Sequence, residues 1–346
     1  MKIMVNTKIM KESIKDLNKV KGTNIYIKAL DNKINIFTNN YFAQLKKSIA
    51  ADIIEEGSTS FSNNVAKMLL KFKENDMTIK DSDIICRNKN LKFIPDDFKE
   101  METGNFINEY TIESEELLRL LQVDYCIAQD EKRPALKGVC FKNNQVCALD
   151  GYRMSLRTSE KINFNAEFIV PGECIKILKS ILTTKEEQVK ISLFEKHVIF
   201  SFADYELTCK LLEENYVNFN VFIPDNVMTN KIIIKNVEYL KESIDMIKAT
   251  YNDKKNSPFI KLLCSDNKLK IENIDSKIGY SDIIEGSECS TNYDMILFDI
   301  NYLEAVLKNN KYNNLTMHSK NAVSPVYLSE NFDTDNFEII LPIRRR

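Results

Sequence analysis

The chain has 346 residues, 44% of them apolar and 28% charged, with eight Gly, seven Pro and no Trp. So apolar a chain with a formal net charge of −2 can bury a core, which excludes a disordered or collagen-like polymer, and its length predicts two or three domains. Near-neutrality also argues against a uniformly basic nucleic-acid binder.

The N-terminus, Met1-Lys2-Ile3-Met4-Val5-Asn6, has no long apolar stretch and reads as a strand running into a helix, so no targeting segment is expected. The apolar runs elsewhere fall far short of the roughly 20 residues of a membrane helix. In the helix that follows, Lys8, Lys11, Lys15 and Lys19 fall within an arc of about 80° at 100° per residue. Ile9, Met10, Ile14, Leu17 and Val20 lie opposite, so one side packs and the other is a ridge of ammonium groups. Such a ridge is either a solvated face or a phosphate-facing one.

Strands over 25–29 and 34–38 form a hairpin around Asp31-Asn32-Lys33, and a second helix over 64–73 carries Lys67 and Lys71. The same order then recurs. A strand at 109–112 runs into a helix at 115–121, followed by a hairpin of 139–141 with 146–148 around Asn143-Asn144. A second helix at 172–182 carries Lys176 and Lys179, and strands 189–193 and 197–202 follow. The third pass starts at Lys231-Ile232-Ile233-Ile234, with hairpin strands 260–264 and 269–272 and a helix at 301–308. Lys11-Glu12-Ser13-Ile14 returns there as Lys241-Glu242-Ser243-Ile244, an offset of 230 residues, and half that offset places the middle copy.

The fold class predicted is therefore α+β: three tandem units of about 115 residues, each with two helices and mostly antiparallel strands. The domains are read as 1–108, 109–228 and 229–346, with junctions near 97–108 and 224–230. They carry 18 basic against 14 acidic side chains, 14 against 19, and 16 against 17, giving +4, −5 and −1. Lysine gathers on helices: besides those named, unit two offers Lys132 and Arg133, and unit three Lys241, Lys248, Lys254 and Lys255. The DNA-facing candidates are Lys8, Lys11, Lys15, Lys19, Lys67, Lys71, Lys132, Arg133, Lys176, Lys179, Lys241 and Lys248. No base-reading module accompanies them, which suits attraction to phosphates without sequence readout.

The eight cysteines contain no CxxC and mostly fall in apolar strand or helix patterns, so reduced buried thiols are expected rather than a zinc site. His197 and His318 each sit in a strand-like alternation. There is no P-loop, paired-carboxylate motif or Gly-rich phosphate cradle, and Asp150-Gly151 reads as a turn rather than a catalytic acid.

Arg133-Pro134-Ala135-Leu136-Lys137-Gly138-Val139, then Ala148-Leu149-Asp150-Gly151-Tyr152-Arg153-Met154-Ser155, resembles the bacterial DNA polymerase III β subunit, the sliding clamp family, with its RPxLxGV and ATDGHRLA. Residues 216–224, Tyr-Val-Asn-Phe-Asn-Val-Phe-Ile-Pro, are similar to the family's FPDYxxVIP, and Ile339-Ile340-Leu341-Pro342-Ile343-Arg344 to its terminal VMPMR. The resemblance implies the DNA-clamp fold as a head-to-tail homodimeric ring around double-stranded DNA, opened by an ATP-driven clamp loader. It implies a cytoplasmic, non-catalytic processivity factor without metal or cofactor, tethering the replicative polymerase's α-type subunit and other clamp-motif proteins.

It also implies a peptide pocket. Carried over residue by residue, that pocket is Leu136, Leu149, Gly151, Tyr152, Arg153, Met154, Val217, Val221, Phe222, Pro325, Ile340, Leu341, Pro342, Ile343 and Arg344. The plainer reading is that Leu136, Leu149 and Ile340 simply fill the core. Leu149 and Tyr152 stand where the family has Thr and His, Val217 where it has Pro, and Arg345-Arg346 extend the end. These departures leave open an accessory or mobile-element clamp acting as a peptide-binding adaptor; a nucleotide-processing enzyme is the more distant alternative. For the subunit interface, residues 84–93 as an edge strand and Tyr251 are the candidates.

Overall fold

One element order runs through the chain three times in the computed structural model, which describes every residue except 98–99, 185–187, 225–229, 252–257, 275, 291–292 and 344–346. The first pass is β1 (Lys2–Asn6), α1 (Thr7–Leu17), β2 (Asn24–Leu30), β3 (Lys33–Asn39), β4 (Ala43–Ile49), β5 (Asp52–Glu55), β6 (Gly57–Ser62), α2 (Asn63–Leu69), β7 (Asp76–Lys80), β8 (Asp83–Cys86) and β9 (Lys89–Lys92). The second is β10 (Phe106–Glu113), α3 (Ser114–Leu120), β11 (Gly138–Asn143), β12 (Gln145–Leu149), β13 (Arg153–Thr158), β14 (Phe164–Pro171), α4 (Gly172–Ile181), β15 (Gln188–Phe194), β16 (His197–Phe202) and β17 (Tyr205–Lys210). The third is β18 (Asn230–Ile234), α5 (Val237–Ala249), β19 (Phe259–Ser265), β20 (Lys268–Ile274), β21 (Ser281–Ile283), β22 (Ser287–Cys289), β23 (Tyr293–Asp299), α6 (Ile300–Asn309), β24 (Leu315–Ser319), β25 (Val326–Ser329) and β26 (Asn336–Ile340).

Local chemistry explains the recurrence. The Asn6 side chain accepts from Lys8 N at 3.0 Å and starts α1; Asn236 does the same for α5 through Tyr239 N at 3.1 Å. The β2–β3 hairpin closes between Leu30 and Lys33 and the β19–β20 hairpin between Ser265 and Lys268. Their two turn residues, Asp31-Asn32 and Asp266-Asn267, all have positive φ, as a two-residue turn matched to strand twist requires. α2 is shorter than the sequence suggests. It ends at Leu69, where i→i−3 bonds from Lys71 N to Met68 O and Phe72 N to Leu69 O tighten the chain, so Lys71 lies beyond the helix.

Contacts gather the chain into two units that follow the sheets rather than the repeats. Unit 1 is residues 1–121 with 168–213, and unit 2 is 122–167 with 214–346. Unit 1 contains the five-stranded sheet β5-β1-β7-β8-β9 and the eight-stranded sheet β10-β15-β16-β17-β4-β3-β2-β6. Unit 2 contains the four-stranded sheet β21-β20-β19-β23 and, but for the second half of β14, the nine-stranded sheet β14-β11-β12-β13-β26-β25-β24-β18-β22. The middle repeat therefore lends strands to both large sheets. In unit 1 it joins through β17 and β4, where Lys46 and Glu206 pair at 3.2 Å at the surface. In unit 2 it joins through β13 and β26, and there the ion pair of Arg157 with Glu338 is buried. Tyr125 and Asn310 complete the hydrogen bonds of that pair, which a buried charge needs if it is not to cost stability.

The core is apolar in both units. α1 buries Met10, Ile14 and Leu17, and α5 buries Leu240, Ile244 and Ile247, each helix with a serine inside its apolar stripe. All eight cysteines are buried free thiols, as expected. Residues 84–93 are a hairpin, β8 with β9, turning at Arg87 in a left-handed conformation; β9 is the edge of its sheet. No helix among the described residues is long and apolar enough to cross a membrane.

Candidate partner-binding cleft and basic face

A cleft of about 130 Å³ opens in unit 2, lined by Leu149, Gly151, Tyr152, Arg153, Met154, Phe222, Pro325, Tyr327, Ile339 and Leu341. Asp150 shapes its rim. One carboxylate oxygen accepts from Tyr152 N at 2.9 Å and Arg153 N at 3.0 Å, and the other takes Arg153 Nε at 2.9 Å. This side-chain turn needs the next residue at φ +91°, a conformation natural to Gly151. A Cβ at Gly151 would also fall 1.6 Å from Arg133 Nη1, which donates to Asp150 O at 3.1 Å.

The chain after β26 closes the other side, with Leu341 N donating to Tyr152 O at 2.8 Å. Tyr216, whose phenol burial pushes well above its ordinary value, accepts from Leu149 N at 3.1 Å and fixes the cleft's inner end. Beside the opening, the Tyr152 ring stacks on Tyr302 at 6.1 Å, and the Arg153 guanidinium lies 5.0 Å over Tyr302 and 5.6 Å over Tyr125. The walls are apolar and the charged groups are paired, so the cleft suits one or two apolar side chains of an extended segment. Asp150, with both oxygens occupied, has a structural role.

Eight of the residues carried over for the pocket line this cleft: Leu149, Gly151, Tyr152, Arg153, Met154, Phe222, Pro325 and Leu341. Ile340 does not. It lies in the unit 2 core on the opposite face of β26, and its neighbour Ile339 faces the cleft, as the two-residue period of a strand dictates. Leu136 is buried, and Val217 and Val221 are exposed on the segment leading to Phe222, outside the lining. Pro342 and Ile343 follow Leu341 without entering the lining, and Arg344 lies outside the described residues, as do Arg345, Arg346, Lys254 and Lys255. Tyr327 and Ile339 are lining residues outside the carried-over set, although Ile339 begins the terminal motif; the alternation of β26 held the signal for it.

The lysines divide sharply. Lys8 and Lys15 on α1 are exposed, with no ion-pair partner among the described residues. Lys11 donates to Phe72 O at one end of the ridge, while Lys19 donates to Ser180 O at 2.9 Å at the other. The strip from the turn after α2, over α1, to the end of α4 is thus continuous within unit 1. Lys8, Lys11, Lys15 and Lys73 line a hollow of about 490 Å³ there, together with Glu12 and Glu74. Lys67, Lys71 and Lys176 are exposed in the same unit, and Lys179 reaches Leu121 O at 3.5 Å.

In unit 2 two of the candidate lysines are spent locally. Lys241 pairs with Glu238 at 2.6 Å and Lys248 with Glu304 at 2.7 Å. Lys132 is exposed, and Arg133 sits against the cleft rim rather than with the other basic residues. The hydroxyl of Tyr251 is engaged inside unit 2, donating to Phe259 O at 2.8 Å and accepting from Ile274 N at 3.1 Å.

A family model described as DNA polymerase III beta subunit, central domain, matches residues 111–218, a stretch that runs from the end of β10 past β17 and holds the cleft's Asp-Gly turn. Curated β sliding clamps match as well: that of Staphylococcus aureus at 25% identity over 232 residues and that of Bacillus subtilis strain 168 at 27% over 239. The chain is similar to the β sliding clamps, and its residues 111–218 match the central domain of that family. The matched stretch covers 65% of this chain for the S. aureus clamp and 64% for the B. subtilis one. It spans 61% of the length of either clamp. Over the whole chain the fold is that of solved clamps. It matches a DNA polymerase III β subunit from Eubacterium rectale at TM-score 0.90 and 20% identity, and the B. subtilis sliding clamp at 0.88 and 19%, with complete coverage of both chains in each case. The α+β architecture read from the three repeats, and the clamp fold that the resemblance implied, are thus the fold observed.

Proposed function

We propose that the protein is a non-catalytic DNA sliding clamp. Two copies close head to tail around duplex DNA, and the apolar cleft of each tethers the α-type subunit of a replicative polymerase, a clamp loader or another clamp-motif protein. The observation that carries this reading is the cleft itself: an apolar slot built by the middle and last repeats in a chain with the clamp fold throughout. The three repeats, 1–108, 109–228 and 229–346, are then the domains of the ring, and the cytoplasm its place of work.

The basic strip of unit 1 supports a DNA-facing surface, because ammonium groups on flexible stems attract phosphates without reading bases. Its contributors are Lys8, Lys11, Lys15, Lys19, Lys67, Lys71, Lys176 and Lys179; Lys241 and Lys248 add less, since carboxylates hold them. Arg133 belongs with the cleft. Catalysis by Asp150 has no support, given its two occupied oxygens.

Retention on closed circular DNA, lost when the circle is linearised, tests the ring. Equal retention on both forms at every salt concentration would mean ordinary binding, and none on either would leave a peptide-binding adaptor. The cleft is tested separately with Met154→Asp and Leu341→Asp together, against a peptide from the polymerase's clamp-binding segment. Binding should fall at least about tenfold with the melting profile retained; undiminished binding would refute the assignment.

A further inference from the structure

Cys264 on β19 and Cys289 at the end of β22 bring their Sγ atoms to 2.8 Å, closer than thiols sit in ordinary contact. β19 belongs to the four-stranded sheet and β22 to the nine-stranded one, so the contact bridges two sheets of unit 2. We propose that Cys264 and Cys289 are a reversible dithiol–disulfide pair that, on exchange with a low-molecular-weight disulfide, staples these two sheets together. This holds whether or not the clamp reading does.

Three features favour this pair over the other six cysteines. First, β22 is a three-residue edge strand, paired through its ladder only with β18, so a small opening exposes Cys289. Second, Cys289 is 6% exposed, whereas Cys140, Cys147, Cys174, Cys209 and Cys126 are at 0%. Cys86, nearly as buried, gives its thiol to Asp76 O at 3.2 Å, and Cys174 gives its own to Phe42 O at 3.5 Å. Third, the two thiols are unequal: the neighbouring Cys264 holds Cys289 below the usual thiol value, and the same contact pushes Cys264 up. Cys289 is therefore the first nucleophile.

The exchange balances. The Cys289 thiolate attacks one sulfur of the external disulfide, whose S–S bond breaks and releases one thiolate, which takes up a proton. Cys264 then loses its proton to solvent and attacks Cys289 Sγ, breaking the mixed disulfide and releasing the second thiol. Two protein thiols are oxidised, and one external disulfide is reduced to two thiols.

The test is incubation of the full chain with oxidised glutathione, acid quenching, alkylation and peptide mapping. A peptide linked between Cys264 and Cys289 is expected, with the intact chain lighter by two hydrogens. Tm should be raised by about 5 °C, because the link closes a loop in the unfolded chain, and dithiothreitol should reverse all three changes. Cys289→Ser should abolish the link. Alkylation of both residues after exposure, or a glutathione adduct on Cys289 that never resolves, would overturn the proposal. The wild-type map decides the matter even if the serine variant does not fold.

Discussion

Helices α1 and α5 contain the same four residues in the same place, yet they present different surfaces. Ile14 and Ile244 are both buried, as are Ser13 and Ser243. Lys11, however, reaches a backbone carbonyl at Phe72, while Lys241 is held by Glu238 of its own helix. Beyond them, the place of the open Lys15 is taken in α5 by Asp245, and Lys248, further along α5, is tied to Glu304 on α6. Packing constrains the buried half of a repeated helix in every copy, whereas the exposed half is free to differ. The repeat therefore reports fold, and its departures report which copy carries charge toward a partner.

The comparison should survive attack on its buried half. Ile14→Ala and Ile244→Ala should each cost about 2–5 kcal/mol, the range for deleting a fully buried aliphatic side chain, as read from denaturant midpoints. A cost below about 1 kcal/mol at either would break the equivalence of the two helices.

The exposed half should separate them. Neutralising Lys8 and Lys15 together with Gln should weaken retention on circular DNA by about tenfold and flatten its salt dependence. Lys241→Gln should change it by less than about twofold, because that ammonium already has a carboxylate. Equal losses in a retention assay would show that local pairing does not govern the DNA-facing surface.

A smaller contrast lies in the serines. Ser243 Oγ donates to Asp282 at 2.7 Å, whereas Ser13 Oγ is buried with no partner among the described residues. Ser243→Ala should cost about 1 kcal/mol and Ser13→Ala less than about 0.5, measured by urea unfolding. The reverse order would mean that the serines are set by something other than these bonds.

The smallest effect is on the acid limb of stability. Burial works against the charge of both Asp16 and Glu304. Tyr205, Lys47 and Lys19 outweigh it at Asp16, and Lys248 and Lys308 at Glu304, so both carboxyls titrate below their ordinary values. A depressed folded value means that each contribution is complete above the unfolded value, 3.8 for Asp16 and 4.5 for Glu304, and fades as pH falls through the folded one. Asp16→Asn and Glu304→Gln should each flatten the fall of Tm below pH 4.5, and an unchanged slope would remove these pairs from the account.

Much of this was legible in the residues. The Asp-Asn turns, the Asn caps and the period of the apolar stripes all act over a few residues, so hairpins and helices could be read directly. The Asp150-Gly151 turn was legible for the same reason, whereas the cleft beside it came only from the resemblance to the clamp family. Three things depended on distant neighbours and could not be read. The lysine ridge looked like four equivalent cations until Phe72 and Ser180 were seen to take two of them. The alternation of β26 separates Ile339 from Ile340, but which of them faces the cleft is set by pairing with the distant β13, and Ile340 took the plainer, core-filling role. The two-unit grouping arises because the middle repeat divides its strands between two sheets, a choice no segment encodes alone.

The most direct test of the central claim is topological. The protein is loaded by a clamp loader onto nicked circular duplex DNA, separated from free protein at high salt, and the circle is then cut once with a restriction enzyme. Retention on the circle and release within minutes of cutting is the result predicted. Protein that remains on the cut DNA, or that leaves the intact circle as fast as the cut one, would contradict a ring that encircles its DNA.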